Sequence, residues 1–544
     1  MKLIKKRELL STNILDCTLR DGGYYNNWLF SNNLINEYIK FVERNNINYI
    51  EIGFRFFDEI RNKGIAAYSD LSFINSLKFQ KHTSIGVMFN GSDIVKYKNN
   101  KKIIDYFSEI LKSKKLSFIR IACHAKEIEK ILFFTKKIKL NSKKIMINLM
   151  QISEIRKSQL KGICRKIKKL DPDVFYLADS LGSMKPNDFK MMVRQIKKFW
   201  HGDIGIHAHN NKKLALKNTL ISNSSGARWL DCTLTGMGRG AGNTITEELL
   251  KKLKKNNFNK IDQKLINKFK VMKQKYKWGP NKIYEIAADY KIHPTYVQLL
   301  LTGKPFVEYR NNVLEVLKNL KTSSSKFEIN KLYLALNKNS KKFKNNFDFL
   351  KGKKNKDILI IGSKDDLKNK LDKIIHYIKK NDLYVISLNN INKIEKNFCD
   401  IHVASHPLRI AADFNSYDKN KQYLLPFNML NKKSIKKIPK NIFNANIKFG
   451  DNNFIKDKQI FELKTPLAIG YALQLALKVN PSKIYLYGFS DAYSDIYQKS
   501  KTSHNVFLKK KKKIKKSKLD GETKSILSDF KKQNKKISLN FIQF

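Results

Sequence analysis

Two histidines of the sequence, His207 and His209, stand two residues apart in a short apolar run. Side chains on a β-strand alternate between its two faces, so both imidazoles are expected to point the same way. Two imidazoles beside a carboxylate and an amide oxygen form a mixed nitrogen and oxygen set that suits a divalent cation. The Asp21 carboxylate and the Asn243 amide, the latter carried by a glycine-rich loop, are the candidates to complete the set. This chemistry requires a fold that brings the four distant residues together.

Eight short apolar runs, rich in Ile, Val and Phe, recur between residues 13 and 234 and are separated by stretches with helical spacing. Such runs are typical of buried parallel strands. Eight β-then-α units in about 250 residues are what a (β/α)8 TIM barrel requires. A doubly wound open sheet is the alternative, but a single unbroken series favours closure. The runs are NILDCTL (13–19), INYIEIGF (47–54), SIGVMF (84–89), SFIRIA (117–122), KIMINLM (144–150), VFYLAD (174–179), DIGIHAH (203–209) and RWLDCTL (228–234).

Polar clusters follow several of these predicted strands, where the loops of a barrel build its active face. The clusters after the first, seventh and eighth strands contain the four candidate ligands. Among the others, Asp179 is the best candidate for contacting the substrate or orienting a metal-bound histidine, and His124 for carrying a proton. Glu51, Arg55 and Arg120 also lie near strand ends, and either arginine is a candidate for binding a substrate carboxylate.

The motifs DCTLRDGG (16–23), HAHNN (207–211) and GMGRGAGNTITEE (236–248) resemble those of the DRE-TIM metallolyases. This superfamily of metal-dependent TIM-barrel enzymes includes 4-hydroxy-2-oxovalerate aldolase, hydroxymethylglutaryl-CoA lyase and isopropylmalate synthase. The resemblance covers residues 12 to about 255.

The resemblance implies specific roles. Asp21, His207, His209 and Asn243 match metal ligands, and Arg20 matches the arginine that stabilises an enolate. Mn²⁺ or Mg²⁺ is the expected ion, with Zn²⁺ as a further option. The substrates implied are a small 2-oxo acid and an aldehyde.

Tyr24 departs from the pattern of these relatives. Two residues after the metal-binding Asp-Gly pair, the aldolases carry a histidine base, and the synthases and lyases carry a glutamine. A phenol with a pKa near 10 is a poor base at neutral pH. Tyr24 is therefore expected to donate a hydrogen bond or a proton to a carbonyl or alkoxide, and the identity of the base stays open.

The function predicted is that of a divalent-metal-dependent aldolase or lyase acting through a pyruvate-type enolate. The alternative is an acetyl-CoA-dependent Claisen condensation. A remote alternative is nucleic-acid binding, suggested by the net charge of +61. The basic residues comprise only 13 Arg against 95 Lys, and base readout and bidentate phosphate binding prefer Arg. The charge thus indicates a compositional bias, although it should still attract anionic small molecules.

We expect three regions: a TIM-barrel domain over 1–255, a helical extension and linker over 256–350, and a smaller Rossmann-like α/β domain over 355–544. In the extension, His293 or Tyr296 is a candidate cap over the barrel mouth, although a packed helix-turn is favoured. KTSSSK (321–326) is typical of a linker.

The C-terminal region resembles a Rossmann-like domain, and a nucleotide or a sugar is its expected ligand. Gly362 and Ser363 follow its first predicted strand and are candidates to bind a phosphate, but the full GxGxxG spacing is absent. Asp491 and Asp495 are either turn residues, which is favoured, or ligands of a metal-nucleotide. The lysine run Lys509–Lys513 is typical of a solvated loop.

The cysteine spacing and the N-terminal residues predict a cytoplasmic location. The five cysteines form no CxxC pair and no disulfide framework. The N-terminal residues lack the apolar stretch of a secretory signal, and no run approaches the length of a membrane span. We further expect a homo-oligomer.

Overall fold

The computed structural model divides the chain into two compact units, Met1–Gly303 with Lys321–Phe327, and Lys304–Leu320 with Glu328–Phe544. Each unit is described by itself. The structure describes residues 12–58, 63–79, 83–97, 101–138, 143–253, 258–320, 324–336, 343–362, 370–389, 398–407, 410, 417–418, 420–430, 441–449, 454, 460–488 and 521–544.

Eight parallel strands close into a barrel in the first unit, which confirms the predicted (β/α)8 TIM barrel. Along each strand, alternate side chains fill the barrel interior or face the surrounding helices. An apolar cluster that includes Leu15, Phe118, Met146 and Trp229 fills the lower interior. The strands are β1 (Asn13–Asp16), β2 (Tyr49–Phe54), β3 (Ser84–Asn90), β4 (Leu116–Cys123), β5 (Lys144–Leu149), β6 (Val174–Asp179), β7 (Asp203–Ala208) and β8 (Trp229–Cys232).

Amphipathic helices cover the outside of the barrel. In the third helix, Ile35, Ile39 and Val42 are buried against the strands, and the Ser31 side chain caps the first turn by accepting from the Leu34 N–H. The helices of this unit are α1 (Thr18–Asp21), α2 (Gly23–Asn26), α3 (Asn32–Arg44), α4 (Leu71–Ser76), α5 (Gly91–Lys96), α6 (Lys101–Glu109), α7 (Ile128–Thr135), α8 (Lys157–Leu170), α9 (Pro186–Lys197), α10 (Ala215–Ser224), α11 (Thr246–Lys252), α12 (Lys260–Tyr276), α13 (Lys282–Asp289) and α14 (Pro294–Thr302).

The first strand is shorter than its apolar run suggested, and α1 follows it directly. The cause is the buried Asp16 carboxylate, which accepts hydrogen bonds from the Thr18 N–H (2.9 Å) and hydroxyl (2.5 Å) and turns the chain into a helical conformation. The turn α1 then places Arg20 and Asp21 at the barrel mouth.

The second unit is built on a seven-stranded parallel sheet in the order β13-β12-β11-β10-β9-β16-β17, and this is the second α/β region that the sequence predicted. A separate pair, β14 and β15, accompanies it. The strands are β9 (Ile358–Ile361), β10 (Tyr384–Leu388), β11 (Ile401–Val403), β12 (Tyr423–Leu425), β13 (Ile442–Asn444), β14 (Ile447–Phe449), β15 (Phe461–Leu463), β16 (Lys483–Tyr487) and β17 (Ser538–Phe541).

The helices of the second unit include α18, whose apolar residues are almost all buried. Four predicted features of this region, Ser363, Asp491, Asp495 and Lys509–Lys513, lie outside the described residues. The helices are α15 (Val313–Leu320), α16 (Ile329–Leu336), α17 (Leu371–Lys380), α18 (Ala468–Val479) and α19 (Gly521–Gln533).

Among the helices in the described part of the chain, none has both the length and the apolar character needed to cross a membrane.

Candidate metal centre at the barrel mouth

Three of the four predicted metal ligands converge at the carboxyl ends of the barrel strands. Asp21, His207 and His209 each offer a ligand atom, and these atoms lie within 4.8 Å of one another. The Nε2 atom of His207 is 4.0 Å from Oδ2 of Asp21. All three side chains are buried. Metal–ligand bonds of about 2.0–2.2 Å bring two ligand atoms to within roughly 4 Å of each other, so the cluster can close around one divalent ion.

Asn243 lies beside this cluster. The backbone of Asn243 forms an isolated antiparallel β-bridge with that of His209, and the Nδ2 atom of Asn243 donates to Oδ2 of Asp21 at 2.5 Å. Its Oδ1 atom and the Nδ1 atom of His209 are buried without a hydrogen-bond partner. A side chain at Gly238 would place its Cβ 2.6 Å from the Asp21 carboxylate, so glycine is needed for the loop to approach. The four predicted ligands therefore form one cluster that fits a divalent cation.

Asp231 orients His207 from below. Its Oδ2 atom lies 2.8 Å from Nδ1 of His207, which leaves Nε2 facing Asp21. Such a carboxylate fixes the tautomer of a metal-binding histidine and its ring orientation. Burial alone would raise the pKa of the Asp231 carboxyl, but Arg120 and His207 outweigh it and hold that pKa below its usual value. Sequence reasoning missed Asp231, although it lies two residues beyond the inward-facing Trp229 and so shares its face.

A buried ion network supports the floor of the site. Arg120 donates to both Glu51 oxygens (2.9 and 2.8 Å) and to Asp231 (2.7 Å). Arg120 is fully buried, so it holds the site's carboxylates rather than reaching the cavity. Arg55, the residue after β2, does not join this network: it stacks on the Tyr106 ring, 3.7 Å from the centroid, and pairs with Glu109.

Arg20 connects this network to the candidate ligands. Its Nε atom donates to Glu51 (2.6 Å) and its Nη1 atom to Asp21 (2.5 Å), while Nη2 is buried without a partner. Arg20 also lines the cavity above the ligands. Burial would raise the pKa of the Asp21 carboxyl, but Arg20, followed by His207 and His209, holds it well below its ordinary value. Asp21 is thus ionised at any physiological pH.

A cavity of about 760 Å³ opens above these residues and is lined by two further predicted residues, Tyr24 and His124. The Tyr24 ring packs edge-on against Trp28, with centroids 4.9 Å apart, and lies under the guanidinium of Arg239. Burial raises the pKa of the Tyr24 phenol, despite the opposing charge of Arg239. Tyr24 is therefore protonated at neutral pH and suited to donate rather than to accept a proton.

His124 has a pKa below its ordinary value, chiefly because it is buried and despite the opposing effect of Glu127. Its imidazole is neutral at pH 7, the form that accepts a proton.

Asp179 lies apart from this group. Its carboxylate accepts from the backbone N–H groups of Ser183 and Met184 (3.2 and 2.9 Å) and braces the loop after β6. Burial raises its pKa to about 6. The inward face of β6 is occupied by Ala178, which lines the cavity, so Asp179 points toward the helices. The structure therefore does not bring Asp179 together with the other predicted site residues.

The helical extension also contributes to the cavity wall. His293 lines the cavity, and its Nδ1 atom accepts from the Thr295 N–H at 3.3 Å. Tyr296 is buried, and its hydroxyl donates to the Lys326 carbonyl. The described part of the predicted linker, residues 324–326, is held along the cavity, with Gln151 donating to the Ser325 carbonyl at 2.5 Å. Lys326 thereby becomes a residue of the cavity wall, which the linker prediction had not suggested.

A closed (β/α)8 barrel that gathers an aspartate, two histidines and an arginine at its carboxyl face is the architecture of the DRE-TIM metallolyases. Residues 11–272 match the family model HMGL-like, and this part of the chain is an HMGL-like domain.

The names of two curated relatives agree with this assignment. The chain is 27% identical over 244 residues to oxaloacetate decarboxylase of Mycobacterium tuberculosis, covering 44% of this chain and 70% of that protein. It is 28% identical over 244 residues to 4-hydroxy-2-oxovalerate aldolase of Brevibacillus brevis, covering 44% and 68%. The chain is also similar to the solved N-terminal domain of a presumed aldolase from Bacteroides vulgatus, to which it is 30% identical. The match covers 55% of this chain and 99% of that domain, with a TM-score of 0.49. The curated names support an enzyme of the lyase type.

Proposed function

We propose that the barrel catalyses a divalent-metal-dependent aldol reaction through a pyruvate-type enolate. The observation that carries this proposal is the convergence of Asp21, His207 and His209 beside a buried Arg20 nitrogen that has no partner. With a divalent cation held by these residues, the arrangement would place positive charge where an enolate oxygen develops negative charge. The names of the similar aldolases and of the decarboxylase favour the same chemistry.

Asp21, His207, His209 and Asn243 would hold the cation, for which Mn²⁺ or Mg²⁺ suits two imidazoles and two oxygens. When bound, the ion supplies Lewis acidity to a 2-oxo acid at the barrel mouth. Arg20 is already fixed by Glu51 and Asp21, so its free Nη2 can donate to the same substrate without rearrangement.

Tyr24 and His124 are the candidates for moving protons. In the synthetic direction a base removes a methyl proton from pyruvate, and neutral His124 is suited to accept it. The resulting carbon attacks the aldehyde carbon, and the aldehyde oxygen takes a proton from the Tyr24 phenol. The product is a 4-hydroxy-2-oxo acid, and cleavage runs through the same steps in reverse.

The first prediction concerns exchange of the pyruvate methyl protons with deuterated water, followed by NMR. Metal-loaded protein is expected to exchange them, and chelation or His207→Ala is expected to abolish the exchange. His201→Ala is the matched control, because His201 is exposed and precedes β7. Absence of exchange with both pyruvate and an acetyl thioester would exclude the enolate. If only the acetyl protons of the thioester exchange, and if free thiol is released in the presence of a 2-oxo acid, the Claisen alternative is favoured.

We also propose that the second unit binds a nucleotide or a sugar at the carboxyl edge of its sheet. The chain order of the strands reverses between β9 and β16, and ligands of open parallel sheets bind at such switch points. Gly362 and Gly488 directly follow these two strands, and the Gly362 N–H donates to the Tyr487 carbonyl. Glycines at both positions leave the backbone open to a phosphate.

The second prediction is that a panel of nucleoside diphosphates and nucleotide sugars contains a ligand that raises the unfolding temperature of the full-length protein. Gly488→Val should abolish that shift, because residue 488 has a positive φ of 78° and a branched side chain would crowd the edge. His207→Ala should retain it, since this substitution lies in the other unit. No shift with any member of the panel would contradict this second proposal.

A further inference from the structure

The cavity above the candidate ligands is larger than a 2-oxo acid requires. Its volume of about 760 Å³ lies within the range that encloses a drug-sized ligand. Pyruvate, a three-carbon acid, would fill only the part next to Arg20 and the candidate metal ligands. Most of the cavity is therefore available to the second substrate, and its wall determines which second substrate fits.

Arg239 lies in this wall and has no anionic partner among the described residues. Among the residues that the structure describes, Arg239 forms no ion pair, and its Nε atom is buried without a hydrogen-bond partner. The buried arginines Arg20, Arg55 and Arg120, in contrast, are all paired with carboxylates. Arg239 is half-buried. Because a guanidinium group that loses part of its hydration is costly to leave without a counter-ion, Arg239 is suited to receive an anion from the cavity.

Two lysines extend the positive charge to the rim of the same cavity. Lys126 and Lys326 both line it, both are exposed, and neither is ion-paired within the described part of the chain. The acidic residues of the wall are already engaged. The Glu127 carboxylate accepts from the backbone N–H of His124 at 2.9 Å, and the Glu154 carboxylate lies 3.0 Å from the Lys291 ammonium.

The histidines of the wall respond to this charge. Burial is the main reason that the pKa of His293 lies well below its ordinary value, and Arg239 is the next contribution. For His124, burial lowers the pKa, Glu127 opposes it, and Lys126, Lys326 and Arg239 lower it further. The three cations that line the cavity without an ion-pair partner among the described residues therefore favour an anion between them.

The loop around Arg239 is held rigidly. Gly238 lies against Asp21, and Gly240, at a positive φ of 66°, donates from its N–H to the Gln298 side chain (3.1 Å). The Tyr25 hydroxyl donates to the Gly240 carbonyl at 2.5 Å. Because both neighbours are fixed, binding an anion at the guanidinium requires little reordering of the backbone.

We propose that Arg239, assisted by Lys126 and Lys326, binds an acidic group of the second substrate, so that the enolate's preferred partner is an anionic aldehyde rather than a plain alkyl aldehyde. The proposal rests on the proposed aldol function of the same site. The acidic group is a carboxylate or a phosphate, since a guanidinium binds both bidentately. It lies on the part of the aldehyde remote from the reacting carbon, in the portion of the cavity that pyruvate leaves empty.

The third prediction compares kcat/KM for matched aldehydes with pyruvate as co-substrate. One pair is glyceraldehyde 3-phosphate and glyceraldehyde, and the other is succinic semialdehyde and butanal. Wild-type protein should prefer the charged member of at least one pair, and the preferred pair distinguishes a phosphate from a carboxylate. Arg239→Gln should reduce that preference by about 10- to 100-fold, because it removes a charge-assisted hydrogen bond, and Arg239→Lys should restore part of it. Lys126→Gln and Lys326→Gln should each have smaller effects.

Arg165→Gln and Lys161→Gln are matched controls, because both residues are exposed on α8. A wild-type enzyme without preference for a charged aldehyde would overturn the proposal. An Arg239→Gln variant that loses activity equally with both members of a pair would also overturn it, since this indicates a structural role. Failure of the aldol function itself shows separately, as absent pyruvate exchange. In that event, calorimetric binding of glyceraldehyde 3-phosphate, with no binding to Arg239→Gln, still tests the anion site.

Discussion

Among the single residues of the site, Asp231 links the candidate metal ligands to the buried ion network, because it contacts both His207 and Arg120. It determines that Nε2 is the His207 nitrogen that faces Asp21, and it neutralises part of the Arg120 charge. Neither function can be taken over by the neighbouring Glu51, whose two oxygens already accept from Arg20 and Arg120. Asp231 is therefore a positioning residue whose loss should affect metal binding and stability together.

The fourth prediction is that Asp231→Asn weakens binding of Mn²⁺ by about 10- to 100-fold, the usual effect of removing the carboxylate behind a metal-binding histidine. The same change leaves Arg120 short of one anionic partner in a buried setting and should lower the free energy of unfolding by about 3 kcal/mol or more. Calorimetric titration with Mn²⁺ and denaturant unfolding measure the two effects.

Asp203→Asn provides the control for this prediction. Asp203 stands at the start of β7, where its carboxylate accepts from the Trp229 indole N–H at 2.9 Å, at the end of the barrel away from the site. Its substitution should leave the affinity for Mn²⁺ unchanged. If Asp231→Asn binds Mn²⁺ as tightly as the wild type does, His207 does not depend on this carboxylate.

Residue type and spacing were sufficient to bring the candidate ligands to one place. The two histidines share a strand face whatever the exact ends of β7, and Gly238 and Gly242 flank the approach of Asn243. The part played by Arg239 could not be read in the same way. It depends on the guanidinium having no ion-pair partner among the described residues, and that is a property of the folded cavity rather than of any local pattern.

At the level of strands, the predictions located the barrel elements but not the direction of every side chain. Asp179 follows an apolar run, as a catalytic residue would, yet it faces the helices because Ala178 occupies the inward position. Arg55 follows β2, in which the register shifts between Glu51 and Phe54, and it is turned outward because Phe54 lines the cavity. Arg120 points inward. A shift of one residue in strand phase reverses the face of a side chain, and an apolar run buried on both sides does not reveal that phase.

Short connecting elements were the least predictable. The polar composition around Ser324 and Lys326 is typical of a linker. The Gln151 side chain and the Tyr296 hydroxyl nevertheless hold this segment along the cavity by donating hydrogen bonds to its backbone carbonyls. Every residue type has a backbone carbonyl, so hydrogen bonds to these carbonyls cannot be predicted from the residue types of the segment that accepts them. The turn α1 is a similar case, because it follows from the burial of Asp16, which the sequence does not state.

For the whole molecule, the net charge of +61 is the feature that the barrel chemistry does not explain. Lysine outnumbers arginine among the basic residues, and a lysine ammonium binds a phosphate as a point charge without reading its surroundings. The charge should therefore act through long-range attraction of anions, including the anionic substrate proposed above, and through association with polyanions that is independent of sequence.

The fifth prediction is that the protein binds duplex DNA of unrelated sequences with equal affinity at low ionic strength. Binding by lysine alone releases counterions in proportion to the phosphates neutralised, so the affinity should fall by at least about 1,000-fold between roughly 50 and 200 mM salt. Filter binding with two unrelated duplexes across this range measures both the slope and the selectivity. A preference for one duplex, or binding that persists at the higher salt concentration, would instead favour nucleic acid as a specific partner, because base contacts retain affinity where released counterions no longer contribute.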